Sequence, residues 1–179
     1  MDFKYCPECG SVLEPRPIGD EGLVPYCDAC HKPHFGFSYS CVIVLPVNAD
    51  NPEEVALIRQ EYVTSKNHIC VAGYVKRGET IEDSARREVE EEIGLHVRDV
   101  RYMRSYYFER KDLLMLGFVA NIEKDAFRIS GEVDAAHWFS LEEADRELPD
   151  GSIAWQLLQD YRSTPVLSTG TADAGGEDA

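Results

Sequence analysis

Apolar and polar positions along the chain predict the strands of a mixed sheet. Near-continuous apolar stretches at residues 39–47 and 69–75 are typical of buried strands. Residues 55–62 can return as another strand after a polar turn. Residues 97–108 and 113–122 also have strand composition, and a charged turn separates them.

Helical periodicity alternates with these strands and places the chain in the α/β class. It is strongest at residues 80–93, where Thr80 is the expected N-cap and Gly94 can end the helix. Ser140 begins a capping box, which predicts a second, short helix. The amphipathic pattern of residues 153–162 predicts a third helix.

The composition divides the chain into three expected segments. Residues 1–36 are rich in cysteine, residues 37–163 carry the α/β pattern, and residues 164–179 have the composition of a disordered tail. The apolar runs are too short to span a bilayer, and no signal peptide is readable at the first residues. We therefore expect a cytoplasmic protein with no membrane contact.

Four of the six cysteines form two C-x2-C pairs that are separated by 17 residues. Two such pairs can complete a tetrahedral four-sulfur shell, so this spacing predicts a small structural zinc ribbon. Iron in a similar shell and a redox role for one pair are the alternatives. The expected zinc ligands are Cys6, Cys9, Cys27 and Cys30.

Other residues close to these pairs, or of the same type, have simpler explanations. His31 and His34 follow the second pair, but the shell is already full, so we interpret them as ordinary loop histidines. Cys41 and Cys70 lie in apolar stretches, where cysteine usually serves as a small buried hydrophobic residue.

The charge balance excludes one class of function. The chain has 18 Lys and Arg residues against 33 Asp and Glu residues, which gives a formal net charge of −15. Non-specific binding to duplex nucleic acid relies on basic side chains that neutralise phosphates, so it is not expected here. A bare anionic substrate would also be repelled unless cations accompanied it. The hydrophobic content of 44 % is enough for a packed core.

Three glutamates cluster on one side of the predicted helix at residues 80–93. Glu88, Glu91 and Glu92 fall within about 100° of one another on the helix surface. Like charges at this spacing repel, and a solvated acidic face is the simplest explanation. Hard divalent cations would turn the repulsion into a site, because Mg²⁺ favours carboxylate oxygens that it shares with substrate phosphates.

The residues around these glutamates decide between the two explanations. They follow the pattern G-x5-E-x7-R-E-U-x-E-E-x-G-U, in which U is a bulky aliphatic residue. This pattern resembles the Nudix box, the strand–loop–helix signature of the Nudix hydrolases, and the resemblance implies a mixed β-sheet sandwiched between helices. A zinc ribbon before the box is similar to the NADH pyrophosphatase branch. The matching positions are Gly73, Glu79, Arg87, Glu88, Val89, Glu91, Glu92, Gly94 and Leu95.

The resemblance implies a reaction and assigns roles within the box. Nudix hydrolases use Mg²⁺ or Mn²⁺ to cut the pyrophosphate of a nucleoside diphosphate linked to another group. By this resemblance Glu88 and Glu92 are metal ligands, and Glu91 is a ligand or the general base. Glu79 is implied to hold Arg87, which orients the cluster.

Two residues outside the helix are implied to complete the metal site. Gly73 would offer its backbone carbonyl, at a position where a side chain would obstruct the metal. Glu132 lies in residues 129–139, which resemble the family's E-x-x-E/D-A-x-W-F stretch. The first glutamate of that stretch often completes the metal site, and a solvated loop acid is the alternative for Glu132.

The substrate is less defined than the reaction. The NADH pyrophosphatase branch carries S-Q-P-W-P-F-P-x-S after the box, whereas residues 105–112 here read SYYFERKD. Tyr106 or Phe108 could stack on a nucleobase or nicotinamide ring. We expect a dinucleotide such as NADH or NAD, with ADP-ribose or another nucleotide sugar as the alternative. A Nudix-like sensor without catalysis is the alternative of another class. A homodimer is expected from the resemblance, and a nucleotide-capped RNA end is the one nucleic-acid substrate to consider.

Overall fold

The computed structural model describes residues 3–64 and 66–164. Its N-terminal part is a three-stranded antiparallel sheet, here called the ribbon, in the order β1-β2-β3. Its strands are β1 (Glu14–Pro17), β2 (Leu23–Cys27) and β3 (Lys32–Pro33).

A second, six-stranded mixed sheet forms the body of the protein. The strand order is β7-β8-β4-β5-β9, and β6 pairs with β4. The β4 and β8 strands are parallel, and the other neighbours are antiparallel. Its strands are β4 (Tyr39–Asn48), β5 (Asn51–Arg59), β6 (Val71–Tyr74), β7 (Val97–Phe108), β8 (Leu113–Ile122) and β9 (Ala135–Ser140).

Helices cover both faces of this sheet, so β4 is buried on its two sides. Val42 and Val44 pack in the core beneath α1, whereas Ile43 and Leu45 pack in the core beneath α2 and α3. This double burial explains the near-continuous apolar sequence of β4. The predicted sandwich of sheet and helices is confirmed. The helices are α1 (Ile81–Ile93), α2 (Leu141–Glu147) and α3 (Ile153–Ser163).

Local signals fix both ends of α1, which carries the three clustered glutamates. The Thr80 side chain accepts a hydrogen bond from the Asp83 backbone N–H, and Gly94 ends the helix with φ of 67°. Between them Ala85, Val89 and Ile93 are fully buried against the sheet. This buried stripe sets the rotation of α1 and turns its acidic side toward β6.

The bounds of β5 differ from the prediction, and the predicted tail lies almost wholly outside the described residues. The strand predicted at residues 55–62 is β5 and spans Asn51–Arg59, because its first residues pair with β4. The strand also ends three residues earlier than the predicted residue 62, at Arg59. Thr164 is the last described residue, so the tail predicted at residues 164–179 lies almost wholly outside the described part.

None of the helices within residues 3–64 and 66–164 is long and apolar enough to cross a membrane.

Candidate active site

A cavity of about 510 Å³ opens where α1 meets β6. Its lining includes Gly73 of β6 and a glutamate from the loop before β9. Four acids that the sequence singles out therefore share one space, although one of them lies about 40 residues beyond the others. We call them the four-glutamate cluster: Glu88, Glu91, Glu92 and Glu132.

Glu92 is the most confined member of the cluster. Its side chain is 5 % exposed, and its Oε1 atom accepts a hydrogen bond from Gln60 Nε2 at 3.4 Å. Its Oε2 atom is buried and has no hydrogen-bond partner among the described residues. Burial, with a further contribution from Glu88, raises the pKa of Glu92 to about 8. A buried carboxylate oxygen without a partner is costly in a folded protein unless a cation or proton compensates it.

Arg87 connects the cluster to the loop before α1. Its Nε and Nη2 atoms donate to the two carboxylate oxygens of Glu79 at 2.6 and 2.9 Å. Its Nη1 atom donates to Glu88 at 2.6 Å and to Glu91 at 3.0 Å. The Arg87 guanidinium, followed by the Ser84 hydroxyl, lowers the pKa of Glu79 to about 2. This bidentate ion pair with Glu79 fixes the plane of the Arg87 guanidinium. The guanidinium in turn positions the Glu88 and Glu91 carboxylates that it contacts.

Gly73 lies directly against the carboxylate of Glu88. A Cβ atom built on Gly73 would come within 2.0 Å of the Glu88 carboxylate. The resemblance explains this glycine by the approach of a metal to its carbonyl. The structure adds a second reason, because any side chain at this position would displace Glu88.

The donor set of the cluster fits a hard divalent cation. Carboxylate oxygens from two separate segments converge on one cavity, and one of these oxygens has no partner among the residues that the structure describes. Mg²⁺ and Mn²⁺ prefer such oxygen ligands. The described geometry therefore accommodates the cation that the box implies.

Most of the chain matches the model of one protein family. Residues 39–161 match the family model described as NUDIX domain. The chain belongs to the Nudix family. The matched segment includes the four-glutamate cluster, Gly73 and Arg87.

Curated relatives and a solved structure extend this comparison. The chain is 28 % identical over 160 residues to the Vibrio parahaemolyticus protein named NAD-capped RNA hydrolase NudC, covering 89 % of this chain and 59 % of that protein. It is 30 % identical over 183 residues to human NAD-capped RNA hydrolase NUDT12, covering 92 % of this chain and 39 % of that protein. The chain thus spans less than two thirds of either relative. A NUDIX hydrolase crystal structure from Nitrosomonas europaea shares the fold, with a TM-score of 0.63, 22 % identity and coverage of 89 % and 88 %.

One part of the lining of this Nudix cavity is apolar. It is formed by the end of β7 and the start of β8, and we call Phe108, Leu113 and Met115 the apolar wall. Phe108, one of the two aromatic candidates, therefore lines the same cavity as the four-glutamate cluster. A flat ring could pack there while a phosphate faced the cluster.

Tyr106, the other aromatic candidate, does not line the cavity. It points to the same side of β7 as Phe108, but α3 covers its position. Its ring is 7 % exposed, and its hydroxyl donates to Asp160 of α3 at 2.7 Å. The expectation that Tyr106 stacks on substrate is corrected, because this side chain is part of the core between β7 and α3.

The ribbon brings its two cysteine pairs together. The Sγ atoms of the ribbon cysteines (Cys6, Cys9, Cys27 and Cys30) all lie within 4.8 Å of one another. The Cys6–Cys30 and Cys9–Cys27 separations are 3.9 and 3.5 Å. Tetrahedral zinc with Zn–S bonds of about 2.3 Å requires S–S separations of about 3.8 Å, so the cluster is competent to bind this ion.

One histidine next to the ribbon cysteines has a more specific position than expected. His34 is 9 % exposed, and its Nε2 atom lies 3.4 Å from Cys6 Sγ. An N–H donor at this distance would orient a thiolate ligand, as residues around metal ligands commonly do. The interpretation of His34 as an ordinary loop residue is therefore incomplete.

Sequence reasoning missed several polar residues of the cavity, and three of them come from outside the box. Gln60 follows β5, Tyr62 lies two residues later, and Lys111 belongs to the turn between β7 and β8. No spacing rule links these positions to the box, because they reach the cavity only through the pairing of β5 with β9 and of β7 with β8. The end of the strand predicted at residues 55–62 was the available signal for Gln60 and Tyr62, and it was misplaced.

Proposed function

We propose that this protein hydrolyses the pyrophosphate bond of a dinucleotide such as NADH or NAD, releasing AMP and a second mononucleotide. The observation that carries this proposal is one cavity that joins the four-glutamate cluster to the apolar wall. The curated relatives are named NAD-capped RNA hydrolases, which favours an NAD-linked pyrophosphate over ADP-ribose. An NAD-capped RNA end is a substrate of the same chemistry.

Mg²⁺ or Mn²⁺ is the expected cofactor of the cluster. Glu88, Glu92 and Glu132 would hold it, together with the Gly73 carbonyl, and Glu91 is either a further ligand or the general base. The cation would shield the phosphoryl oxygens and acidify a bound water. The partnerless Oε2 atom of Glu92 supports this assignment more directly than the acid count does.

The protein residues orient these groups and accept a proton. Arg87, held by Glu79, fixes the Glu88 and Glu91 carboxylates relative to each other. The Glu91 side chain is 53 % exposed, whereas that of Glu88 is 11 % exposed, so water reaches Glu91 more readily. Glu91 is therefore suited to take a proton from water, and a ligand role for it is the alternative.

Further parts of the proposal concern the ribbon and the assembly. We assign zinc to the ribbon cysteines, where it would stabilise a unit too small to form a large core. A homodimer and a cytoplasmic location are expectations from the family resemblance and the composition.

The apolar wall, through Phe108, would hold the base or the nicotinamide.

A hydrolysis screen with Mg²⁺ and Mn²⁺ tests the function. The panel contains NADH, NAD, ADP-ribose, diadenosine polyphosphates, sugar nucleotides and NAD-capped RNA, and products are separated by chromatography. We expect AMP from NADH or NAD at the highest kcat/KM. Nucleotide binding without turnover of any compound would instead favour the sensor function, although a sensor would be expected to lose box glutamates.

A further inference from the structure

The turn between β7 and β8 places a basic side chain in the lining of the cavity. A 3-10 turn spans Glu109–Lys111, and Asp112 follows it with φ of 52°. The Asp112 backbone N–H donates to the Glu109 carbonyl at 3.2 Å, and the Tyr107 hydroxyl donates to the Asp112 carboxylate at 2.8 Å. These bonds define the backbone that presents Lys111 to the cavity.

Three basic side chains among the described residues line the cavity, and two of them are already paired with acids. Arg87 binds Glu79 and two members of the cluster, and Lys76 Nζ lies 3.6 Å from Glu91 Oε1. Lys111 makes no ion pair with any residue in the ranges 3–64 and 66–164. Among the described residues that line the cavity, Lys111 is thus the basic side chain that remains available to bind a ligand.

The buried thiol of Cys41 is influenced by both Lys111 and a member of the cluster. Burial and the Glu88 carboxylate raise the pKa of Cys41 to about 11, and Lys111 opposes this change. Both charges therefore act on the same thiol, which lines the cavity. A substrate in this cavity would meet both the carboxylates of the cluster and the Lys111 ammonium.

We propose that Lys111 binds a phosphate group of the substrate and so contributes to substrate selection. The inference rests on the proposed function, since it requires a phosphorylated ligand in this cavity. A lysine ammonium on a flexible stem is well suited to contact a phosphate oxygen as a point charge. The phosphate is either part of the pyrophosphate itself or a further phosphate monoester, such as the 2′-phosphate of NADPH.

The same turn offers a matched control. Arg110 is exposed, is adjacent in sequence, carries the same charge and does not line the cavity. Arg110→Met and Lys111→Met therefore remove one charge each from one turn while retaining side-chain bulk. Only the second variant removes a charge from the cavity.

The experiment compares the parent, Lys111→Met, Lys111→Arg and Arg110→Met as full chains with the ribbon metal in place. Kinetics with NADH and NADPH at saturating Mg²⁺ give kcat and KM separately. Calorimetry with methylene-bridged analogues of NAD and NADP, in which the bridging oxygen is replaced, gives affinities without turnover. We expect Lys111→Met to weaken binding and raise KM roughly 10-fold or more, with kcat less affected, and Lys111→Arg to restore most of the loss.

The substrate arms distinguish the two sources of phosphate. If Lys111→Met weakens the binding of both dinucleotides equally, Lys111 contacts the pyrophosphate. If it weakens only the binding of NADPH and its analogue, Lys111 contacts the further phosphate. Unchanged affinity and KM with both, or an equal loss in Arg110→Met, would overturn the inference. If the parent binds the analogues but turns over neither dinucleotide, the proposed function fails, and the affinities alone still test Lys111.

Discussion

Replacing Glu92 with Gln should stabilise the protein when Mg²⁺ and Mn²⁺ are absent. The Glu92 side chain is 5 % exposed, and one of its oxygens has no partner in the described part of the chain. Burial first, and then the Glu88 carboxylate, raises its pKa to about 8, with smaller contributions from Glu132 and Glu91. The Gln60 hydrogen bond acts in the opposite direction. Glutamine keeps the shape of this side chain and removes the charge that must be buried.

The size of the effect follows from the pKa difference between folded and unfolded chains. The pKa of Glu92 in the unfolded chain is 4.5. Between pH 4.5 and about 8 the folded state therefore binds a proton on Glu92 that the unfolded state lacks. The free energy of unfolding therefore falls as the pH rises through this interval. At pH 7, 2.5 pH units above the unfolded value, the loss is about 3 kcal/mol. Glu92→Gln should avoid this loss and exceed the parent by up to that amount.

Urea unfolding between pH 5 and pH 8 measures the difference. The buffer contains no Mg²⁺ or Mn²⁺ and no chelator, so that the zinc proposed for the ribbon cysteines would not be removed. Glu90→Gln is the control, because Glu90 is exposed and does not line the cavity, and its contacts are long: 3.4 Å from the Val97 N–H and 3.5 Å from His96 Nδ1. It should change the free energy of unfolding by less than about 0.5 kcal/mol. A Glu92→Gln protein less stable than the parent at pH 7, or a difference independent of pH, would refute the reasoning.

Adding Mg²⁺ should reverse the order of the two proteins. A cation that binds only the folded state stabilises it in proportion to the logarithm of its concentration relative to Kd. The parent should gain stability in this way, whereas Glu92→Gln should gain much less. Equal gains in both proteins would show that Glu92 does not hold the cation.

Three further predictions concern other parts of the two sites. The purified protein should contain about one zinc per chain on the ribbon cysteines, and Cys70→Ser should not change this; metal analysis without stoichiometric zinc, or an iron chromophore, would contradict it. Gly73→Ala should lower kcat at least about 10-fold, since the new Cβ would come within 2.0 Å of the Glu88 carboxylate; an unchanged kcat would show that Glu88 moves freely. Glu79→Gln should lower kcat similarly by weakening its pair with Arg87, while Mg²⁺ affinity measured by calorimetry falls less; full activity would exclude the orienting role.

The helix and the acids were predictable because their determinants are local. Thr80 and Gly94 mark the ends of α1 within the sequence itself, and the spacing of the glutamates sets their common side. Gly73 and Arg87 also reach the places that the box pattern implies. Glu132 joins the cluster from a distant loop, and only the family resemblance anticipated it.

The remaining features depend on tertiary contacts that no local pattern contains. Tyr106 and Phe108 share one side of β7, so alternation could not show that α3 covers the first and leaves the second at the cavity. The β5 strand starts at Asn51, within a stretch whose composition favours a turn, because β4 pairs with it there. Lys111 lies in a charged turn that resembles any exposed loop until the sheet is assembled.

Steady-state hydrolysis of NADH by the parent, Glu92→Gln and Glu90→Gln tests the central claim most directly. Each protein is assayed with saturating Mg²⁺, and AMP is quantified by chromatography. We expect the parent to hydrolyse NADH. We expect Glu92→Gln to have a kcat at least about 100-fold lower, and Glu90→Gln to have a nearly unchanged kcat. Comparable activity of the two variants would mean that the carboxylates are a solvated helix surface and would contradict a metal-dependent site at this cluster.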